Sequence, residues 1–338
     1  MVVGALAGQD ASAHMMPNAT LTAVPGIKVG HCTLTERPTG CTVILAEAGA
    51  TAGVDVRGAA PATRETDLLD PVNAVQQVHA IVLAGGSAFG LDSASGVMRY
   101  LEEHKIGFAF GTVRVPIVPG AALFDLQTGN PMIRPTAECG YRAAQAATAA
   151  PAAEGNVGAG AGATVGKASG QARAMKTGVG TAAVTMPGGL TVAALVVVNA
   201  FGDVVDPATG RTVAGVRGAD GRTLADARKL LRAGLIRFDS GNTTLAVVAT
   251  NATLTKTQTT YVAQMAHDGV ARAIAPSHTP VDGDAIFALA TGERSGTAET
   301  GAIGALAADV VAEAIVRAAT QAEGLPGLPA ARDLHNTT

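Results

Sequence analysis

Two rhythms of apolar positions run through the chain. Short unbroken apolar runs, rich in β-branched residues and bounded by Gly, Pro, Asn or Asp, predict buried strands at Ile27 to Cys32, Thr42 to Ala46, Ala80 to Leu83, Leu190 to Asn199, Leu245 to Ala249 and Ala285 to Ala290. Between them the spacing turns helical. One helix is predicted from Ser87 to about Lys105, carrying Leu91, Val97, Met98 and Leu101; another runs through Gln258 to Ile274, and a long Ala-rich one from about Ala302 to Ala322. Phe201 to Val213 reads as a hairpin turning at Asp206-Pro207-Ala208-Thr209-Gly210. The two kinds of segment alternate with no linker long enough to separate domains, and Ala144 to Ala153 reads as a helix end and surface loop. One α/β domain is expected over residues 21–338, behind a disordered leader of residues 1–20.

Composition narrows how such a domain packs. Hydrophobic residues are 48% of the 338, yet aromatics are 3%, Trp is absent and there are 42 Gly, so the apolar content is small side chains suited to closely approaching helices and sheets. With 15% charged residues and a net charge of −3, the chain carries no basic footprint for nucleic acid or an acidic membrane surface. Its longest apolar runs are too short or too Gly-broken to span a bilayer. Cys32, Cys41 and Cys139 form no C-x-x-C pair and no zinc spacing, and are read as small buried thiols of a reducing compartment in preference to the alternative of a disulfide plus a free thiol. Met1 to Ala13 holds a short apolar stretch and an Ala11-Ser12-Ala13 that mimics a signal-peptidase site, but it lacks a basic flank, and Met15 or Met16 offers an alternative start. A cytoplasmic enzyme with neither cofactor nor metal is expected.

Three stretches imitate known motifs. Gly85-Gly86-Ser87-Ala88-Phe89 imitates the nucleophile elbow of α/β-hydrolases but has Phe89 where the last Gly is required, so Ser87 is read as a helix N-cap. Gly158 to Gly170 is glycine-dense around Gly166-Lys167, but Ala161 and Ala168 break the phosphate-loop pattern; close backbone approach explains the glycines and leaves Lys167 as an unexplained cation. Asp282-Gly283-Asp284, just before a strand, reads in isolation as a solvated surface turn, or alternatively as a carboxylate pair that orients a catalytic amine. His267, Asp268 and His278 are read as structural.

The chemistry-bearing candidate is Thr243. Asn242-Thr243-Thr244 lies between the polar turn Asp239-Ser240-Gly241 and the strand Leu245 to Ala249, so a hydroxyl stands at the start of a buried strand. If the Asn242–Thr243 bond breaks, Thr243 gains an α-amine that titrates near ~7.7–8.0, and nucleophile and base then belong to one residue.

These segments occur in a particular order. Val54-Asp55-Val56-Arg57-Gly58 with Thr63-Arg64-Glu65-Thr66, Leu83 to Asp92, Gly241 to Leu245, Ala266-His267-Asp268-Gly269, Pro276-Ser277-His278-Thr279-Pro280 and Asp282-Gly283-Asp284 together resemble the DmpA family. That family contains self-processing aminopeptidases, β-peptidyl aminopeptidases and nylon-oligomer hydrolases. The resemblance covers about Leu21 to Ala322. It implies a four-layer αββα sandwich of the N-terminal-nucleophile kind, cut into an α chain ending at Asn242 and a β chain starting at Thr243. It implies Thr243 as nucleophile, Asn199 helping to hold the oxyanion, Lys167 beside the nucleophile, and Asp282 and Asp284 as the acidic pair seen in the nylon-hydrolase branch. Phe124, a substrate-binding position, stands where that branch has a tyrosine. The substrates implied are short peptides or linear amide oligomers, and the assembly a homo-oligomer of four αβ units. Two other readings stay open: an acyltransferase resembling ornithine acetyltransferases, marked by acyl transfer without net hydrolysis, and a non-catalytic oligomeric relative, marked by an uncut, inactive chain. Loops Phe124 to Pro131 and Glu293 to Glu299 carry specificity without a readable code.

Overall fold

The computed structural model describes residues 20–238, 241–296 and 299–335. The expected leader lies almost wholly outside the described residues, as do Asp239 and Ser240 of the polar turn and residues 297–298 of the second specificity loop.

Every strand expected from the apolar runs is present in one hydrogen-bonded sheet, joined by the short strands Thr63–Arg64 and Gly120–Ala122 and by Val179–Thr185. The organising element is Gly40–Val56, 17 residues long, of which only Thr42 to Ala46 was anticipated. Its first stretch, through Leu45, pairs with Lys28–Thr33 and Gln77–Ala84, while Thr51 to Val56 pairs with Ala285–Ala290. The register against Gln77–Ala84 shifts between Leu45 and Ala50, where the strand turns from one layer of the sheet into the other.

Side-chain alternation then makes four layers. Along Thr191–Asn199, Val192, Ala194, Val196 and Val198 face the helices Lys256–Ala273 and Thr300–Thr320, whereas Ala193, Leu195 and Val197 face the other half of the sheet. There they meet Ile44, Ile81 and Leu83, whose strand neighbours Val43, Leu45 and Val82 pack outward against Ser93–Glu103 and Ala137–Gln145. The order is helix, sheet, sheet, helix. Each buried Val, Leu or Ile contributes about 1.5–3 kcal/mol.

Small residues let these layers close. A Cβ on Gly96 would lie 1.6 Å from the Ala137 carbonyl oxygen, and one on Gly140 would lie 1.8 Å from that of Ser93, so the helices Ser93–Glu103 and Ala137–Gln145 touch backbone to backbone. The helix Lys256–Ala273 starts two residues before the expected Gln258, because Thr255 and Gln258 form a complete capping box. Asp203–Val205 and Thr212–Ala214 form the expected hairpin, and Ile274–Ala275 adds a third strand.

Two expectations are overturned. Ser87 is not an N-cap: Gly86 stands before the first turn at φ 85°, Ser87 itself lies at φ 56°, and the Gly86 N–H donates to Asp125 Oδ1 at 2.8 Å. No side chain caps this turn, and the backbone N–H ahead of it is held by a carboxylate 39 residues away. Cys32 and Cys139 are a disulfide with Cα atoms 5.6 Å apart, and only Cys41 is a free, buried thiol. The partners are 107 residues apart, a separation that hides the pairing, and free thiols no longer speak for a reducing compartment. Among the described residues no helix is long and apolar enough to cross a membrane, and no group of three or more His, Cys, Asp or Glu is placed to hold a metal.

Candidate active site

Sheet topology, not sequence proximity, assembles the site. Thr191–Asn199 runs antiparallel to Thr243–Thr250 with Asn199 directly opposite Thr243, so the end of one strand lies beside the start of the other. Ala285–Ala290 runs parallel to Thr243–Thr250 from Leu245 opposite Ala285, and the pairing continues backward as a bridge between Asn242 and Asp282. Three strand termini therefore meet at one edge of the sandwich.

Lys167 arrives on a short 3-10 turn whose backbone is strapped to the next loop, Gly166 N–H to Gly202 O at 3.1 Å and Lys167 N–H to Phe201 O at 3.0 Å. Gly166 is left-handed at φ 73°, and a Cβ there would lie 2.1 Å from the Gly215 backbone. The Lys167 ammonium donates to the Asn199 backbone oxygen and Oδ1, both at 2.9 Å, and to the Gly241 carbonyl at 3.2 Å. Burial pushes it down to about 7, against the opposing pull of Asp282 and Asp125. The cation left unexplained by sequence thus sits among these residues. Asn199 accepts from Thr164 N–H at 3.1 Å and donates through Nδ2 to Phe124 O at 2.9 Å and Gly241 O at 3.3 Å.

Thr243 is buried, and its hydroxyl donates to the carbonyl oxygen of Asn242, across the bond between them. The same oxygen accepts from the backbone N–H of Gly283 at 2.9 Å.

The acidic pair is not a surface turn. Asp282 and Asp284 are 1% and 2% exposed, because the segment Arg57 to Ala60 covers them: Arg57 N–H and Gly58 N–H donate to Asp284 O, and Ala60 N–H to Asp282 O. Both carboxylates are occupied by protein donors. Asp282 accepts from Phe201 N–H, Thr279 N–H and the Thr279 hydroxyl; Asp284 accepts from Thr244 N–H at 2.6 Å and from His278 Nδ1 at 2.7 Å. Burial, reinforced by the Asp284 charge, raises the proton affinity of Asp282. Behind them the His278 and His267 rings meet edge to face with centroids 4.8 Å apart, and His267 Nε2 lies 3.0 Å from the Asp55 backbone oxygen.

The residues singled out in the sequence, Thr243, Asn242, Asn199, Lys167, Asp282, Asp284 and Phe124, therefore form one connected cluster. Phe124 contributes its carbonyl to Asn199, and its ring abuts Gly241. Lys167 reaches the carbonyl next to Asn242 and not the Thr243 hydroxyl. Sequence reading missed the Gly283 N–H and the buried pair of Arg37 and Asp125, 2.6 Å apart, that holds the Phe124 loop. Arg37 donates to the Thr128 and Ile133 carbonyls, while Asp125 accepts from Thr39 and Gly86. Removing one member of such a pair costs about 3–5 kcal/mol. The Gly85-Gly86 run and the acidic residue after Phe124 were the only signals for it.

The profile of peptidase family S58 matches residues 19–332. A Mycobacterium tuberculosis protein named as an uncharacterized aminopeptidase is 43% identical over 93% of this chain and 97% of its own length. A 6-aminohexanoate-oligomer endohydrolase of Kocuria sp. is 31% identical over 87% of this chain and 84% of its own. Among solved structures, the L-aminopeptidase D-Ala-esterase/amidase of Ochrobactrum anthropi, described as a variant of the Ntn hydrolase fold, superposes with a TM-score of 0.70 at 20% identity, covering 96% of this chain and 93% of that one.

Proposed function

The chain belongs to peptidase family S58 and is a hydrolase of peptide or amide bonds; from that premise we propose that it cuts its own Asn242–Thr243 bond and then uses Thr243 as an N-terminal nucleophile. The observation that carries this reading is the Thr243 hydroxyl seated on the Asn242 carbonyl inside a buried cluster containing a lysine held down to about 7. In maturation no free α-amine exists, and Lys167 and Asn199 hold the Gly241 carbonyl so that the next bond is presented to the hydroxyl. In the mature enzyme the Thr243 amine, ordinarily near ~7.7–8.0, accepts the hydroxyl proton as Oγ attacks an amide carbonyl, and water releases the acyl group from the resulting ester. Asn199 and Lys167 supply the donors that Gly241 engages in the uncut chain. The carboxylates hold the strand start and the loop against which the amine lies.

The substrate class is short peptides, cut from the amino end, or linear amide oligomers; the relatives named for each activity support both. The αβ units assemble as a homotetramer in this reading, and light scattering at micromolar concentration giving a single αβ unit removes that element. Intact-mass analysis with N-terminal sequencing tests the core of the proposal. Two fragments starting at residues 1 and 243 are expected from the wild type, one intact inactive chain from Thr243→Ala, and partial processing with partial activity from Thr243→Ser. A single uncut species with full activity sinks it.

A further inference from the structure

We infer that the backbone N–H of Gly283 is the oxyanion donor of the self-cleavage step, distinct from the Asn199 and Lys167 side chains that hold the neighbouring carbonyl. The inference rests on the proposed cleavage at Asn242–Thr243. Two adjacent carbonyls in the uncut chain are held by different groups. The Gly241 oxygen accepts from Lys167 Nζ and Asn199 Nδ2, one residue upstream of the bond to be broken. The Asn242 oxygen, on which charge develops when that bond is attacked, accepts from Gly283 N–H at 2.9 Å, within the range an oxyanion donor requires.

The residue type fits the task. A Cβ on residue 283 would lie 3.1 Å from Thr243 Oγ1 and 2.6 Å from the Ala60 carbonyl oxygen, so only glycine brings its N–H here without crowding the nucleophile. Asp282 and Asp284 fix its aim from either side: Asp282 ties down Phe201 and Thr279, Asp284 ties down Thr244 and His278, and the backbone oxygens of both accept from the segment Arg57 to Ala60. The parallel bridge between Asn242 and Asp282 sets the register that places residue 283 on the Asn242 oxygen.

In the step, a bond forms between Thr243 Oγ and the Asn242 carbonyl carbon, and the carbonyl electron pair moves onto the oxygen facing Gly283. The C–N bond then breaks. The hydroxyl proton ends on the Thr243 nitrogen, leaving an ester between Asn242 and Thr243 Oγ and a free amine. Water adds to the ester, giving the Asn242 carboxylate and restoring the hydroxyl. Lys167 and Asn199 act meanwhile as a clamp on Gly241 that presents the bond.

The direct test replaces the amide of residue 283 by an ester, Gly283→glycolate, introduced by nonsense suppression in cell-free synthesis, which deletes the N–H and keeps the shape. Appearance of the chain starting at Thr243 is followed by mass. Slowing of cleavage by about 10²–10³-fold, the loss seen when one oxyanion donor is removed, is expected. Cleavage at the wild-type rate overturns the inference and leaves the proposed function standing. An unmodified chain that never cuts at 242–243 overturns the proposed function itself. Should the ester chain fail to fold, hydrogen exchange on the uncut Thr243→Ala protein decides: a slowly exchanging Gly283 amide proton supports the bond, and exchange at the rate of an open loop amide overturns it.

Discussion

The two flanks of the Thr243–Thr250 strand carry opposite charge and work differently. On the Thr191–Asn199 flank the reaching groups are side chains, Lys167 Nζ and Asn199 Nδ2, and both touch a carbonyl of the segment leading to Thr243. On the Ala285–Ala290 flank the two carboxylates engage Phe201, Thr279, Thr244 and His278, and the group that meets the Asn242 carbonyl is a main-chain N–H. In the proposed mechanism, charge on the first flank acts beside the bond to be cut, whereas charge on the second organises backbone. A motif of acidic residues can therefore matter through the glycine between them.

The largest effects are expected on the side-chain flank. Lys167→Met, nearly isosteric but without charge, and Asn199→Ala each release the Gly241 carbonyl and are each expected to slow self-cleavage by about 10²-fold, the cost of a misplaced reacting bond, while Asn199→Ala is also expected to lower kcat of the processed enzyme by about 10²–10³-fold. Burial holds Lys167 down to about 7, so its charged grip on the Gly241 carbonyl weakens as pH rises, and wild-type cleavage should slow between pH 6 and 8. Time courses of cell-free chain at several pH values check this; a slowing that survives in Lys167→Met removes the lysine from the clamp role.

On the carboxylate flank, Asp282→Asn and Asp284→Asn each turn an acceptor toward a donor, a mismatch of about 1–3 kcal/mol, and kcat/KM is expected to fall by about one to two orders of magnitude. Negative charge favours the ammonium form of the Thr243 amine, so the apparent pKa of the rising limb, between about 6 and 8 in the wild type, should shift down in both variants. Profiles that overlay the wild type would reduce the pair to bystanders and collapse the contrast between the flanks.

The smallest effect is on stability. Burial holds His267 down to about 4 against 6.5, so the unfolded chain takes up the proton first. Its contribution is complete above about pH 6.5 and lost as pH falls toward 4, amounting to about 2 kcal/mol between pH 7 and 5. Urea unfolding at both values, for wild type and His267→Gln, should show a shallower acid loss in the variant. His31, also buried and held down to about 4, remains in both proteins and keeps some of the slope.

Much of the fold was legible because its strands are buried on both faces and read as unbroken apolar runs, and its long helices carry a repeating small-residue stripe. The bend in Gly40–Val56 was not, since a strand that changes layer keeps the same local preference throughout. The ordered blocks pointed to residues that lie together in one connected cluster, yet the solvated-turn reading of Asp282-Gly283-Asp284 failed because local chemistry cannot register the segment Arg57 to Ala60 lying over it. Ser87 and the pair Cys32 and Cys139 failed for the same reason: the Ser87 N–H is held by the Leu123 carbonyl and one cysteine by the other, 36 and 107 residues away.

By itself, then, the sequence determined which residue types are at hand: a hydroxyl opening a strand, a lysine in an uncharged glycine-rich stretch, an asparagine closing a strand and two carboxylates flanking a glycine. Only the tertiary structure decided what each of them faces. Side-chain chemistry is a property of the residue, but hydrogen-bond partners and lowered or raised proton affinities depend on burial and on register, and here the register is set by antiparallel pairing on one side of Thr243 and parallel pairing on the other.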